Sequence, residues 1–375
     1  MIAELLISLP VAVYAVIIFR RLYFWLRLPA TVLPANHKPA TFLSVIVPVR
    51  NEALIVKRLL SDLEKQSYPL SLFEVIVVDD HSDDDTVEVV KDFAASSTIP
   101  VKLLTNEGAL KKAAVKTGIA AAKGTLLVFT DGDCRVQPDW LAIIEYCYTQ
   151  HQAKCISGPV CFEPATSVFD RMQFVEFASL VGVGAASMAM NSPNMCNGAN
   201  IAYEKEAFEA VGGFKGNEHV ASGDDEFLMH KLHRQYPGKV VFLKADAATV
   251  FTATQPSVSS FVQQRVRWAS KWRAYQNKKV QLLAVIVFLA NLSVLIAAVA
   301  FWLEWLSEIA LIGIVAAKFL TDFLFLYQIL SFFKKKQYIW YMLPLQLVYV
   351  PYVLFTAVRG MWGSFNWKGR KVEIT

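Results

Sequence analysis

Two aspartates separated by one glycine follow a strand-like run of the sequence. Residues 126–130 are apolar or β-prone, and Asp131-Gly132-Asp133 comes next. The carboxyl ends of strands border the ligand crevice in open α/β sheets, and two neighbouring carboxylates repel each other unless a cation lies between them. Magnesium and manganese ions are commonly bound by one or two carboxylates together with substrate phosphates. The pattern therefore predicts a Mg²⁺ or Mn²⁺ site at Asp131 and Asp133, although Asp-Gly-Asp is also ordinary turn chemistry.

A second acidic cluster consists of Asp224-Asp225-Glu226, with Leu228 two positions further on. Acidic side chains in the first turn of a helix are stabilised by the positive end of the helix dipole. The pattern alone is therefore explained by a helix that begins here. A catalytic role for these carboxylates depends on the family resemblance described below.

A third cluster combines polar and aromatic side chains at helical spacing. Gln264, Arg267 and Trp268 stand at positions i, i+3 and i+4, so a helix presents all three on one face. Trp272 and Tyr275 extend this stripe, and basic residues surround it. The spacing predicts a basic amphipathic helix over residues 257–279 that lies on a membrane surface.

The elements that must position the acidic clusters alternate between strand and helix. Strands are predicted at residues 42–49, 73–78, 101–104 and 125–130, with helical patterns of ten to fifteen residues between them. This alternation predicts an α/β fold with a mostly parallel sheet and helices on both faces.

Polar clusters end three of these strands: Arg50-Asn51-Glu52, Asp79-Asp80 and Asp131-Gly132-Asp133. No Gly-x-Gly-x-x-Gly pattern follows the first strand, and no Walker lysine motif is present. A dinucleotide fold and a P-loop enzyme are therefore excluded.

The order of these clusters resembles the inverting family 2 glycosyltransferases, which have the GT-A nucleotide-diphospho-sugar fold. The similar stretches are Val-Ile-Val-Pro-Val-Arg-Asn-Glu, Val-Val-Asp-Asp-His-Ser, a helical Lys112-Ala113 and Thr-Asp-Gly-Asp. The resemblance implies that Asp131 and Asp133 bind the metal and diphosphate. It also implies a set of donor-binding residues: Glu52, Asp79, Asp80, Lys112 and Asp131.

Downstream, the resemblance extends to about Trp268. Asp225 corresponds to the family's general base, and Asp224 replaces the glutamate that usually precedes the base. Gln-x-x-Arg-Trp resembles the motif of membrane-bound members, which implies that Arg267 faces the diphosphate and Trp268 the acceptor. Gln264 belongs to the same acceptor and diphosphate group. The stretch that begins at Asn197-Gly198-Ala199-Asn200 resembles the lining of the acceptor side. The family's histidine metal ligand has no obvious equivalent, and His219 and His230 are the candidates.

Composition indicates that part of the chain lies in a membrane. The chain has 375 residues, 55% of them hydrophobic, and a net charge of +5, with basic residues clustered beside apolar runs. No nucleic-acid motif is visible. The five cysteines lack Cys-x-x-Cys spacing, so neither a zinc site nor a redox motif is supported.

Domain boundaries follow from these patterns. We expect an N-terminal membrane anchor at residues 1–28, a catalytic domain at 40–256 and, after the amphipathic helix, a transmembrane region at 280–361 with a basic tail at 362–375. Arginines after the anchor place the catalytic domain in the cytoplasm of a multi-pass cell-membrane protein. Lys318 and Asp322, four positions apart inside an apolar run, are expected to pair.

The function expected from these observations is transfer of a sugar from a nucleotide-diphospho-sugar, most simply UDP-linked, to a lipid acceptor. Residues 169–177 and 181–190 are expected to be interfacial segments, the second too short to cross a membrane. A processive polysaccharide synthase shares the same motifs. An inactive nucleotide-sugar-binding partner of a synthase is the other alternative.

Overall fold

The computed structural model describes residues 2–216, 223–271, 278–361, 364–368 and 370–373. It divides into two compact units. The sheet unit contains Leu28–Pro164 and Ser187–Thr254, and the helical unit contains Met1–Arg27, Ala165–Ala186 and Gln255–Thr375.

The chain begins with helix α1 (Ile2–Arg27) of the helical unit. The first part of the sheet unit then alternates strand and helix: β1 (Leu43–Val49), α2 (Val56–Glu64), β2 (Phe73–Asp79), α3 (Thr86–Ser96), β3 (Val101–Thr105), α4 (Leu110–Ala121), β4 (Leu126–Phe129), α5 (Trp140–His151), β5 (Cys155–Ser157) and β6 (Val160–Phe162). Helix α6 (Val168–Ala189) follows. The sheet unit resumes with β7 (Ile201–Glu204), α7 (Lys205–Ala210), α8 (Asp224–Gln235), β8 (Val240–Phe242) and β9 (Val250–Thr252).

The main sheet has seven strands in the order β3-β2-β1-β4-β7-β5-β8. The first four are parallel, as are β5 and β8, whereas β7 runs antiparallel to both its neighbours. The predicted α/β fold with a mostly parallel sheet is confirmed. Register places Val49 beside Asp79 and Ile46 beside Phe129. The polar clusters after β1, β2 and β4 therefore leave the sheet at one edge.

Helix α4 lies unusually close to the strands at the centre of the sheet. A methyl group at Gly118 would be 2.6 Å from Cγ2 of Ile46 and 3.2 Å from Cγ2 of Val78. All residues of β1 and β2 are buried, as expected for parallel strands covered on both faces. Because only glycine fits at position 118, this contact fixes α4 against the strands that carry the polar clusters.

The rest of the helical unit contains α9 (Val258–Ala269), α10 (Lys278–Trp302), α11 (Glu308–Phe332), α12 (Met342–Arg359) and a hairpin of β10 (Ser364–Trp367) and β11 (Arg370–Glu373). Five helical segments of the described chain are long and apolar enough to cross a membrane: α1, α6, α10, α11 and Lys336–Arg359. These long apolar helices indicate membrane association.

Two expectations about this unit differ from the structure. Residues 169–177 and 181–189 belong to one helix, α6, which has 22 residues and is largely buried rather than interrupted, and Met190 follows its end. The expected helix over residues 257–279 is shorter, because α9 ends at Ala269. Trp272 and Tyr275 lie outside the described residues.

The expected pair inside the apolar run forms, and it joins three helices. Lys318 Nζ on α11 lies 2.6 Å from Oδ2 of Asp322. The hydroxyl of Tyr14 on α1 donates to the other carboxylate oxygen at 2.6 Å, and Nε2 of Gln346 on α12 donates to Oδ2 at 2.7 Å. A buried charge is tolerated in such surroundings only when it is paired and hydrogen-bonded, as Asp322 is here.

Asn200, just before β7, connects several segments of the sheet unit through its buried side chain. Its Oδ1 accepts from Nε1 of Trp140 at 3.0 Å, and its Nδ2 donates at 2.8 Å to the carbonyls of both Pro159 and Ala248. Only 1% of the residue is exposed. The amide therefore satisfies three buried polar groups, which makes a structural role for Asn200 the best supported one.

We expect the variant Asn200→Ala to lower the thermal unfolding midpoint of the detergent-solubilised protein markedly. Each buried group left without a partner costs about 1–3 kcal/mol, and this change leaves three. Asn36→Ala, at an exposed asparagine, is the matched control and should not change the midpoint. Equal midpoints for the two variants would contradict the structural role.

Candidate active site

The Asp-Gly-Asp segment packs against the end of β1. A methyl group at Gly132 would lie 2.7 Å from Cγ1 of Val49 and 3.4 Å from Cγ of Glu52, so the glycine is needed for this close approach. Glu52 is 4% exposed, and its backbone N–H donates to Oγ1 of Thr86 at 2.8 Å. The sequence-predicted Glu52 and Asp-Gly-Asp segment therefore lie side by side.

Asp79 and Asp80 are buried and held by donors from the neighbouring loops. The backbone N–H of Ser82 lies 3.2 and 3.3 Å from the two carboxylate oxygens of Asp79. Oδ1 of Asp80 accepts from Nδ2 of Asn106 at 2.6 Å, and the carbonyl of Asp80 accepts from Arg50 at 2.8 Å. Asn106 and Arg50 thus orient the predicted donor-binding carboxylates, a role that the sequence did not predict for Asn106.

Lys111 is the cation at the centre of the site. Its Nζ makes an ion pair with Oδ1 of Asp131. A methyl group at Gly198 would lie 3.4 Å from Nζ of Lys111 and 3.2 Å from Oδ2 of Asp225, so these three residues meet at one place. Burial alone would lower the pKa of the Lys111 ammonium, but the charges of Asp131, Asp224 and Asp225 outweigh burial and raise it.

The sequence resemblance implied that Lys112, rather than Lys111, binds the donor. Lys112 acts on the site electrostatically, because its charge lowers the pKa of Asp224, and its predicted contact with the donor stays a prediction. Lys111 stands seven residues before Gly118, which faces the sheet. Two helical turns separate the two positions, so they share one face of α4, and this spacing is the signal that identifies Lys111.

Helix α8 begins at Asp224 and brings the second acidic cluster to the same place. Gly223 precedes it with a positive φ of 86°. Oδ1 of Asp225 accepts from the backbone N–H of Glu226 at 2.9 Å, which satisfies one of the free donors of the first helical turn. The acidic cluster therefore begins a helix and also lies beside Gly198, and its catalytic role stays a prediction.

The two neighbouring acids differ in their surroundings. Burial raises the pKa of Asp224, the charge of Asp225 raises it further, and Lys111 and Lys112 oppose both effects. A small cavity lies beside the acids, lined mainly by apolar side chains that include Phe129, Tyr203 and Leu228. Lys111, Asp224 and Asp225 complete its lining.

Asp131, Asp133 and Cys134 have ligand atoms within 4.8 Å of one another. The two carboxylates fit Mg²⁺ or Mn²⁺, which prefer oxygen ligands. Cys134 is buried, and burial together with the charges of Asp133 and Asp131 raises the pKa of its thiol. A neutral thiol is a poor ligand for these ions, so the carboxylates are the groups that would hold the metal.

Among the described residues, no histidine belongs to the cluster of Asp131, Asp133 and Cys134. His230 lies on α8, where burial, with the charges of His233 and Arg234, lowers its pKa to about 4. His219 lies outside the described residues. The third protein ligand, if the metal has one, is therefore not identified by the described part of the chain.

The Gln-x-x-Arg-Trp motif lies on α9 of the helical unit. Gln264 accepts a hydrogen bond from Arg265, whose guanidinium carbon lies 4.2 Å from the ring centroid of Trp268. Arg265 is 4% exposed, although the sequence marked it only as part of the basic surroundings. The roles predicted for Gln264, Arg267 and Trp268 towards acceptor and diphosphate stay predictions.

Several known proteins are similar to this chain. Glycosyltransferase AglE of Haloferax volcanii is 29% identical over 184 residues, which are 49% of this chain and 59% of that protein. Poly-beta-1,6-N-acetyl-D-glucosamine synthase of Staphylococcus epidermidis is 24% identical over 260 residues, 66% of this chain and 61% of the synthase. The chain thus matches about three fifths of the length of these relatives.

The fold is shared with mannosyltransferase PcManGT from Pyrobaculum calidifontis, solved in complex with GDP-Man and Mn²⁺. That structure has a TM-score of 0.59 and 20% identity, and the match covers 92% of this chain and 99% of PcManGT. The model of the family "Glycosyl transferase family 2" matches residues 44–212. These residues contain the polar clusters after β1, β2 and β4, so the match confirms the resemblance inferred from them.

Proposed function

We propose that this protein is a membrane-anchored inverting glycosyltransferase that transfers one sugar from a nucleotide-diphospho-sugar to a lipid acceptor. The observation that carries the proposal is the meeting of Asp131, Asp225 and Lys111 beside Gly198. All of these residues except Asp225 lie within the range that the family 2 model matches. A metal-binding carboxylate, a proton acceptor and a cation for a diphosphate are the groups that such a transfer requires.

In the proposed reaction, Asp225 accepts the proton of the acceptor hydroxyl. The hydroxyl oxygen then forms a bond to the anomeric carbon, and the bond from that carbon to the diphosphate oxygen breaks with its electron pair. Asp225 suits this role because the N–H of Glu226 orients its Oδ1, while its Oδ2 points towards Gly198. Attack from the side opposite the leaving group inverts the anomeric centre.

The leaving diphosphate gains negative charge as the bond breaks. A divalent ion held by Asp131 and Asp133 would neutralise part of that charge. Lys111 supplies a second positive charge from the protein itself, and its ammonium can donate to the diphosphate once Asp131 has another partner. The nucleoside would lie at Glu52, Asp79 and Asp80, whose positions are fixed by internal hydrogen bonds.

The long apolar helices support a lipid acceptor. Several helices that can cross a membrane would hold the enzyme at the bilayer, where a lipid acceptor is found. Basic residues are expected at the cytoplasmic ends of membrane helices. They are found at the end of α1 (Arg20, Arg21 and Arg27) and after α11 (Lys334-Lys335-Lys336). We therefore propose that the catalytic domain lies at the cytoplasmic face of the cell membrane. We also propose that the nucleotide of the donor is UDP.

The processive synthase remains the second candidate, because one of the similar proteins is a poly-N-acetylglucosamine synthase. Both candidates use the same chemistry at the anomeric carbon. They differ in the product, since a synthase adds many sugars to one acceptor and the proposed enzyme adds one.

A radiolabelled UDP-sugar incubated with the purified enzyme and fractionated membrane lipids tests the proposal. We expect the label to move into the organic phase as a lipid that carries one sugar, which mass spectrometry identifies. Label confined to water-soluble product would show that the acceptor is not a lipid. A ladder of product lengths would favour the synthase instead.

The metal assignment predicts a conditional defect. Asp133→Asn should abolish turnover and weaken UDP binding in the presence of Mn²⁺, with no difference from the unmodified protein in EDTA, because the lost carboxylate binds UDP only through the ion. Titration calorimetry with and without Mn²⁺ measures this. Asp92→Asn, an exposed charge change, is the control. Unchanged UDP affinity of Asp133→Asn in Mn²⁺ would contradict the assignment.

The base assignment predicts different effects for the two acids of α8. Asp225→Asn removes the proton acceptor, so kcat should fall by about 10²–10⁴-fold while the affinity for the donor persists. Asp224→Asn should be the milder change, because its raised pKa makes Asp224 the weaker candidate for a carboxylate that must be ionised before it accepts a proton. Steady-state kinetics of both variants measure the two losses of kcat. A larger loss in Asp224→Asn than in Asp225→Asn would mean that Asp224 is the base.

A further inference from the structure

A fully buried ion pair joins α6 to α9 within the helical unit. Glu176 and Arg265 are each 4% exposed. Nε of Arg265 donates to Oε1 of Glu176 at 2.9 Å, and Nη2 makes a second, shorter contact with Oε2. The pair is therefore bidentate, which is the geometry that compensates best for the removal of both charges from water.

The rest of the Arg265 guanidinium contacts its own helix. Nη1 donates to Oε1 of Gln264. The guanidinium carbon lies 4.4 Å from the ring centroid of Phe261 and 4.2 Å from that of Trp268. Arg265 therefore holds both a polar and an aromatic member of the Gln-x-x-Arg-Trp motif in one arrangement.

Glu176 and its neighbours on the same face of α6 make further contacts within the helical unit. The hydroxyl of Tyr352 on α12 donates to its Oε1 at 3.0 Å. One turn earlier on α6, the amide of Gln173 exchanges two hydrogen bonds with the backbone of Gln255, of 3.0 and 2.9 Å. Phe177, the next residue, contacts Trp268 with ring centroids 6.0 Å apart. This face of α6 thus supports the start of α9 and its tryptophan together.

We propose that Glu176, acting through Arg265, is a positioning residue that fixes Gln264 and Trp268 for the acceptor; the inference rests on the proposed function. A tryptophan ring and an amide are suited to a sugar or another group with several hydroxyls, because the ring packs on its C–H surface and the amide both donates and accepts. The guanidinium covers one face of the indole, so the acceptor contacts the remaining surface.

The chemistry of the pair supports positioning over simple stabilisation. Apolar side chains of similar volume often replace a buried ion pair without loss of stability. They cannot replace the planar guanidinium of Arg265, which contacts a carboxylate, an amide and two aromatic rings at once. Lysine cannot replace it either, because its ammonium is a single point charge. A role in orientation therefore accounts for the contacts that Arg265 makes.

The test compares Glu176→Gln with Asp322→Asn. Both changes remove the acid of a buried ion pair in the helical unit, but the pair of Asp322 with Lys318 contacts neither Gln264 nor Trp268 in the described contacts. A double variant, Glu176→Leu with Arg265→Met, removes both charges and so avoids leaving an unpaired one. Thermal unfolding midpoints identify any variant that fails to fold.

Two measurements report on orientation. The first is iodide quenching of the Trp268 fluorescence, obtained in each background as the difference from the same protein with Trp268→Phe. The second is steady-state kinetics with donor and acceptor varied separately. We expect Glu176→Gln and the double variant to increase the quenching and to raise the KM for the acceptor about tenfold, or ~1.4 kcal/mol, with an unchanged KM for the donor. Asp322→Asn should show neither change.

The inference would be overturned by unchanged quenching of Trp268 in both altered proteins, or by an equal increase in Asp322→Asn. The double-mutant cycle of Glu176→Gln with Gln264→Ala provides a second decision, because additive effects on the KM for the acceptor would mean that the two residues act independently. If the unmodified protein transfers no sugar, the proposed function fails, while the quenching comparison still decides whether Glu176 orients Trp268.

Discussion

The sheet unit depends on the balance between one ammonium and three carboxylates. Asp131 follows β4, Asp224 and Asp225 begin α8, and Lys111 from α4 provides the positive charge among them. Without that cation, carboxylates so close together in poorly hydrated surroundings would favour protonation or separation of the segments. The site is therefore assembled before any ligand binds, and its most sensitive element is the position of α4, which carries Lys111 to the carboxylates.

That helix position is fixed by close packing rather than by charge. Gly118 allows α4 to approach Ile46 and Val78, and the same face carries Lys111 to the strand edge. In the helical unit an arginine has a comparable place, because Arg265 connects Glu176 to two members of a motif. In both units a buried or partly buried cation orients the polar groups around it, and packing of the surrounding helices orients the cation.

The sequence predicted the strands, the polar clusters at their ends and the Lys318–Asp322 pair, because periodicity and strand-end chemistry are local properties. It did not separate Lys111 from Lys112. Two adjacent lysines are equivalent in composition, and only the close approach at Gly118 determines which one faces the sheet. It also missed Asn106 and the role of Arg265, since their partners, Asp80 and Glu176, are 26 and 89 positions away in the chain.

The hydrogen bond from Tyr14 to Asp322 has a consequence for how the protein is made. Asp322 has three donors, and one of them belongs to the first helix of the chain. During synthesis α1 is made long before α11, so a hydrogen-bond donor for Asp322 is already present when the charged helix is made. A chain shortened by its first 27 residues would lack that donor, and the carboxylate of Asp322 would then be satisfied by Lys318 and Gln346 alone. Helix α1 thus satisfies part of a buried charge that lies 308 positions later in the chain.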